Sequence, residues 1–92
     1  MRFEWDRRKA LANLAKHGVT FEEAVGAFRD LFSLTISDPD HSQGEPRYLL
    51  LGQSYEGRLL VVSHTERGET VRIINARRAR RRETRLYEEG ED

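Results

Sequence analysis

The 92-residue chain has no cysteine. That removes disulfides, thiolate zinc sites and thiol nucleophiles together. Long apolar runs are missing too. The opening MRFEWDRRKA holds no apolar stretch of signal-peptide type, and nothing after it approaches membrane-spanning length. A soluble cytoplasmic protein without membrane contact is expected. Net charge is also absent, since 16 Lys and Arg balance 16 Asp and Glu. This argues against binding nucleic acid through bulk charge alone. With 37% hydrophobic and 35% charged residues, the core must be economical, and a partner subunit would help it. The length suits one domain over residues 1–92, with an acidic segment from about 88 to 92 expected to fray.

The charge that is present is unevenly placed. Six arginines lie between Arg77 and Arg85, in a tract that opens ARRARRRE, and Glu88, Glu89, Glu91 and Asp92 follow. Such a tract is either a solvated helix face or a local site for an anionic partner.

Periodicity assigns the elements. RFEW is extended. Asp6 reads as the N-cap of RRKALANLAKH, with Leu11, Leu14 and Ala15 on one face and Gly18 as its stop. Thr20 and Glu23 fit a capping box for a second helix running to about Arg29, whose stripe is Phe21, Ala24, Val25 and Phe28. LFSLTIS, RYLLLGQSY, RLLVVSHTE and TVRIINA read as strands, and Asn75 as the cap of a last helix from about Ala76 to Glu89. The order β-α-α-β-β-β-β-α predicts an α+β fold: a small antiparallel sheet with an N-terminal helical hairpin and a C-terminal helix.

Two-residue turns at Glu56-Gly57 and Arg67-Gly68 set a register. They put Leu49, Leu51, Leu60, Val62, Val71 and Ile73 on a core face, with His64 toward one end. Tyr48, Ser63, Thr65 and Arg72 then form a polar patch on the other face.

Several groups carry chemistry, each with a plain structural alternative. Lys16 and His17 end the first helix, where cations favour the dipole, yet an imidazole beside a lysine also suits phosphate contact or proton transfer. Asp38-Pro39-Asp40-His41 contains metal-ligand types but reads as turn chemistry. Arg72, inside an apolar strand, needs a glutamate, solvent or an anion; its bidentate fork suits phosphate. The arginine helix has a thin stripe of Ala76, Ala79, Leu86 and Tyr87, enough to dock it as a solvated helix.

W-D-x-x-K-x-x-x-N-x-x-K-H-G-V-x-F-E-E-A from Trp5 to Ala24, DPDHSQGEPRYLLLG in the middle, and R-I-I-x-A-R-x-A-x-x-x-E from Arg72 to Glu83 carry a resemblance. Over essentially the whole chain they resemble the BrnT family of type II toxins. The departures are Asn75, where a serine is common, and the acidic tail. The resemblance implies a RelE-like ribonuclease that cuts RNA without metal or other cofactor and blocks translation. It also implies a cognate BrnA-like ribbon-helix-helix antitoxin, a hetero-oligomer with it, and repression of the toxin's own operon, with operator DNA touched only through the antitoxin.

Metal-free cleavage needs an activated 2′-hydroxyl, a neutralised phosphorane and a protonated leaving oxygen. On the resemblance, Arg72 and Arg77 are expected to hold phosphate, aided by a helix N-terminus near Asn75. His17 and His64, with Tyr48 behind them, are expected as acid/base groups, and Lys16, Arg47, Arg78 and Arg82 as RNA contacts. The competing expectation is a non-catalytic nucleic-acid or partner-binding module built on the arginine helix.

Overall fold

The computed structural model describes residues 1–41 and 44–90. Its elements follow the expected order. Strand β1 (Arg2–Trp5) leads into α1 (Arg7–His17) and α2 (Phe21–Ala27). Next come β2 (Leu34–Ser37), a 3₁₀ turn at Pro39–His41, and β3 (Arg47–Gln53). Strands β4 (Leu59–Arg67) and β5 (Thr70–Arg78) precede α3 (Arg81–Gly90). The sheet order is β1-β5-β4-β3-β2, with β1 parallel to β5 and the other pairs antiparallel.

The helix ends form as their cap residues dictate. Asp6 accepts from the amides of Arg8 and Lys9 at 2.8 and 3.1 Å, and Gly18 closes α1 at φ 68°. Thr20 accepts from the Glu23 amide at 3.0 Å. The Glu23 carboxylate, expected to reach back to Thr20, turns instead to Arg58 and Ser54.

The inward side of α1 differs from the expected one. Leu11 and Leu14 are 62% and 45% exposed, while Asn13 is buried between half-buried Ala10 and His17. The reason is at the sheet edge. β1 pairs with β5 only from Thr70 to Ile73, so Ala76 lies beyond its reach. The Asn13 side-chain amide takes that place, accepting from Ala76 N at 3.0 Å and donating to Ala76 O at 2.8 Å. It also donates to Val19 O at 2.9 Å.

The β3–β4 register is one residue off the expected one. Gln53 pairs with Leu59, and Ser54 N donates to Arg58 O at 2.8 Å, leaving a three-residue loop with Gly57 at φ 79°. An odd loop in place of an even one turns β3 over. Leu50, not Leu49 and Leu51, joins Leu60, Val62, Val71, Ile73 and Ala76 in the main core under α2. Leu51 and Val61 face Tyr87 of α3 across the opposite side. The second hairpin turns at Gly68-Glu69, one residue later than expected. Its loop keeps an even length, so β4 and β5 share faces as expected.

Asn75 does not cap a helix. β5 continues to Arg78 because Ala76 is buried against the core and bonded to Asn13. The α3 end is closed by Glu83, which accepts from Arg80 N at 2.8 Å. At its other end, the acidic residues Glu88 and Glu89 belong to the helix, whereas Glu91 and Asp92 lie outside the described residues.

Candidate functional site

Helix α3 covers only the half of its sheet face that carries Leu51 and Val61. The other half is open and polar. There Arg47, Thr65 and Arg72 are direct neighbours across β3, β4 and β5. Together with Lys9 of α1, His41 and Asp40 of the 3₁₀ turn, Glu45 and Arg67, they line a groove of about 480 Å³. Four cations and two carboxylates line it, so basic side chains are concentrated there although the chain is neutral.

The groove is held by ion pairs along its rim. Arg72 Nη1 donates to Glu4 at 2.7 Å across the β1–β5 pair, the pairing that an arginine in an apolar strand calls for. Arg67 grips Glu45 through Nε at 2.6 Å and Nη2 at 3.2 Å. Arg67 above all holds the Glu45 carboxyl below its ordinary range. His41 Nδ1 lies 3.0 and 3.2 Å from the two Asp38 carboxylate oxygens. On the floor, Thr65 is buried.

A second recess of about 380 Å³ lies along the open edge of β5, lined by Lys9, Lys16, His17, Asn75 and Arg77 among others. Lys9 and Ile74 line both recesses and join them. Ile74 is the extra residue of a bulge, since His64 pairs with Ile73 and Ser63 with Asn75. The bulge re-aims the strand between Arg72 and Arg77.

The expected site residues therefore divide. Arg47 and Arg72 share the groove, and Lys16, His17 and Arg77 share the recess beside it. Tyr48 and His64 pair with each other on the opposite face, so Arg47 takes the place expected for Tyr48 in the polar patch. His64 is 1% exposed, its ring edge-on to Phe28 at 4.8 Å, with Nε2 3.2 Å from Glu66.

The anion-holding helix end expected near Asn75 is absent because the chain there is a strand. Arg77 gives both terminal nitrogens to Glu83, at 2.9 and 2.7 Å. That bond lowers the Glu83 carboxyl and raises the Arg77 guanidinium. Arg78 is exposed near the end of β5, and Arg82 lies on α3 beside Arg85 and Leu86.

Thr65 was expected in the polar patch, whereas Lys9, His41 and Arg67 were not expected as site residues. Lys9 had a signal, as the lysine of W-D-x-x-K. His41 had one only as a turn or metal residue, and among the described residues no three histidine or acidic side chains group to hold a metal.

A family model described as the ribonuclease toxin, BrnT, of a type II toxin-antitoxin system matches residues 5–83. The chain belongs to the BrnT family. Membership supports endoribonuclease activity and implies RNA as substrate and an antitoxin as partner. The crystal structure of the Brucella abortus ribonuclease toxin BrnT is similar, with a TM-score of 0.59 and 24% sequence identity. The match covers 88% of this chain and 99% of that one, and at this identity it establishes the shared fold. No curated protein matches the chain. In BrnT terms, the first motif spans β1, α1 and the start of α2, and the last spans β5 and the start of α3. The second recess lies where those segments meet, and Lys9, Arg72 and Ile74 carry them into the groove.

Proposed function

We propose that this BrnT-family chain binds RNA across the two joined recesses and cuts it without a metal ion. The observation that carries the reading is the convergence of Lys9, Arg47, Arg67 and Arg72, from α1, β3, β4 and β5, on one open groove. Arginine and lysine can neutralise a phosphorane as metal ions do elsewhere. Arg72 and Arg47 serve the reacting phosphate, while Lys9 and Lys16 follow the backbone into the second recess, where His17 can exchange protons. Arg77 acts there against competition from Glu83. Tyr48 and His64, on the far side of the sheet, are assigned to packing.

The proposal extends to the biological setting. A cytoplasmic toxin of this kind inhibits translation by degrading RNA. Its antitoxin is of the BrnA-like ribbon-helix-helix type, and their hetero-oligomer represses its own operon through the antitoxin's contact with operator DNA. The description of the family as one of type II toxin-antitoxin systems supports the toxin role and the antitoxin partner.

The test is cleavage of a synthetic RNA by the purified full chain, with and without a chelator. Equal cleavage in both is expected. Arg72→Ala should lower kcat about 100-fold, as loss of one charge-stabilising donor does. Its melting temperature should stay close to wild type, since only a half-exposed ion pair is lost. RNA left intact in both conditions would return the protein to the non-catalytic reading, a binding module built on the α3 arginines.

A further inference from the structure

We infer that His41, oriented by Asp38, is the group that takes the proton from the RNA 2′-hydroxyl. This rests on the ribonuclease reading above and names a residue for its least defined step.

A carboxylate only accepts hydrogen bonds, so the imidazole nitrogen facing Asp38, Nδ1, carries the hydrogen. Nε2 is then the free acceptor. Asp38 is itself fixed, its amide donating to Arg47 O at 2.8 Å and its carbonyl accepting from His41 N at 3.3 Å. Its side chain is only 15% exposed, whereas that of His41 is 65% exposed. The pair thus has a held carboxylate and an accessible ring, the arrangement in which a third group orients a base.

The ring stands in the groove that holds Arg47 and Arg72, with Thr65 on the floor. Other bases in the groove fit less well. Glu45 is committed to Arg67. Asp40 is a carboxylate, whereas imidazole is the side chain that most often serves as a general base. The field at the ring is set by Lys9, Arg47, Arg67 and Arg72 on one side of the balance and by Glu4, Asp38, Asp40 and Glu45 on the other.

In the step, His41 Nε2 accepts the 2′-hydroxyl proton as the 2′-oxygen bonds to phosphorus. The bond from phosphorus to the 5′-oxygen breaks, and that oxygen leaves with a proton from water. The products are a 2′,3′-cyclic phosphate and a 5′-hydroxyl, and His41 returns its proton to solvent. Arg72 and Arg47 neutralise the intermediate.

The experiment compares wild type, His41→Ala and Asp38→Asn on one synthetic RNA, as full chains. His41→Ala should lower kcat about 100- to 1000-fold with KM within about twofold. The acidic limb of its pH–rate profile should vanish, and added imidazole should restore part of the rate. Asp38→Asn should lower kcat while keeping that limb. Unchanged melting of His41→Ala would separate these effects from folding. Cleavage by His41→Ala within twofold of wild type, with the same pH profile, would overturn the assignment alone. Failure of the wild type itself to cleave would overturn the ribonuclease reading and this step with it.

Discussion

Asn13 shows how one side chain can set the position of a functional helix. Its amide satisfies Ala76 N and O on the bare edge of β5 and also Val19 O in the α1–α2 loop. Lys9, Lys16 and His17 ride on the helix it anchors. Removing the amide would leave three backbone groups without partners, two of them on buried Ala76. Asn13→Ala is expected to cost about 3 kcal/mol, read as a drop in urea midpoint at constant m-value. A loss under about 0.5 kcal/mol would mean that water replaces the amide. The sequence pointed to Leu11 and Leu14 as the inward side because apolar spacing is a local signal. The partner of Asn13 lies 63 residues away and leaves no such signal.

Among the elements, close approach decides more than propensity. A Cβ added at Gly52 would lie 2.5 Å from Ala27 O, so β3 and the end of α2 meet at a distance only glycine allows. Gly52→Ala is expected to destabilise by about 2 kcal/mol through overpacking against backbone, visible as a lower melting temperature. An unchanged melting temperature would show that α2 can shift freely. The same economy governs the hairpins, where one more loop residue before Arg58 turned β3 over and exchanged Tyr48 for Arg47 in the groove. Alternation within each strand was legible in the sequence. Loop length was not, because Glu56-Gly57 fits a two-residue turn or the end of a three-residue one.

For the molecule as a whole, the ion pair between buried Glu23 and half-buried Arg58 ties three segments together. Arg58 donates to it through Nε at 2.9 Å and through Nη2, Ser54 Oγ donates at 2.8 Å, and Arg58 also reaches Gly18 O at 3.1 Å. The Arg58 bonds first, then Ser54, hold the Glu23 carboxyl below its ordinary value of 4.5 against the opposing effect of burial. A carboxyl depressed on folding contributes stability that is present above its unfolded pKa and lost as pH falls through the folded one. Glu23→Gln should cost about 1.5 kcal/mol at pH 7, the loss of charge-assisted hydrogen bonds to a partly exposed arginine. The gap between variant and wild-type melting temperatures should narrow below about pH 4.5, as wild-type Glu23 is protonated. A gap independent of pH would remove the ion pair from the account. Asp30 is also depressed: burial raises it, but bonds from Tyr87 and the Gln53 and Phe32 amides outweigh that. It should steepen the same acid transition, common to both proteins.

The Asp6, Gly18 and Thr20 caps, strand alternation and element order depend on neighbours within a few residues, so the sequence by itself determined them. Its motifs determined the family as well. The face each strand shows, the end of β5 and the makeup of the groove depend on contacts between residues far apart in the chain. Arg72 and Arg77 were legible as charged residues near an apolar strand. That Glu4 and Glu83 hold them, and that His41 stands with Arg72 while His64 lies behind the sheet, only the tertiary structure decided. Charge and residue type are local properties, whereas convergence on one groove is a property of the folded chain.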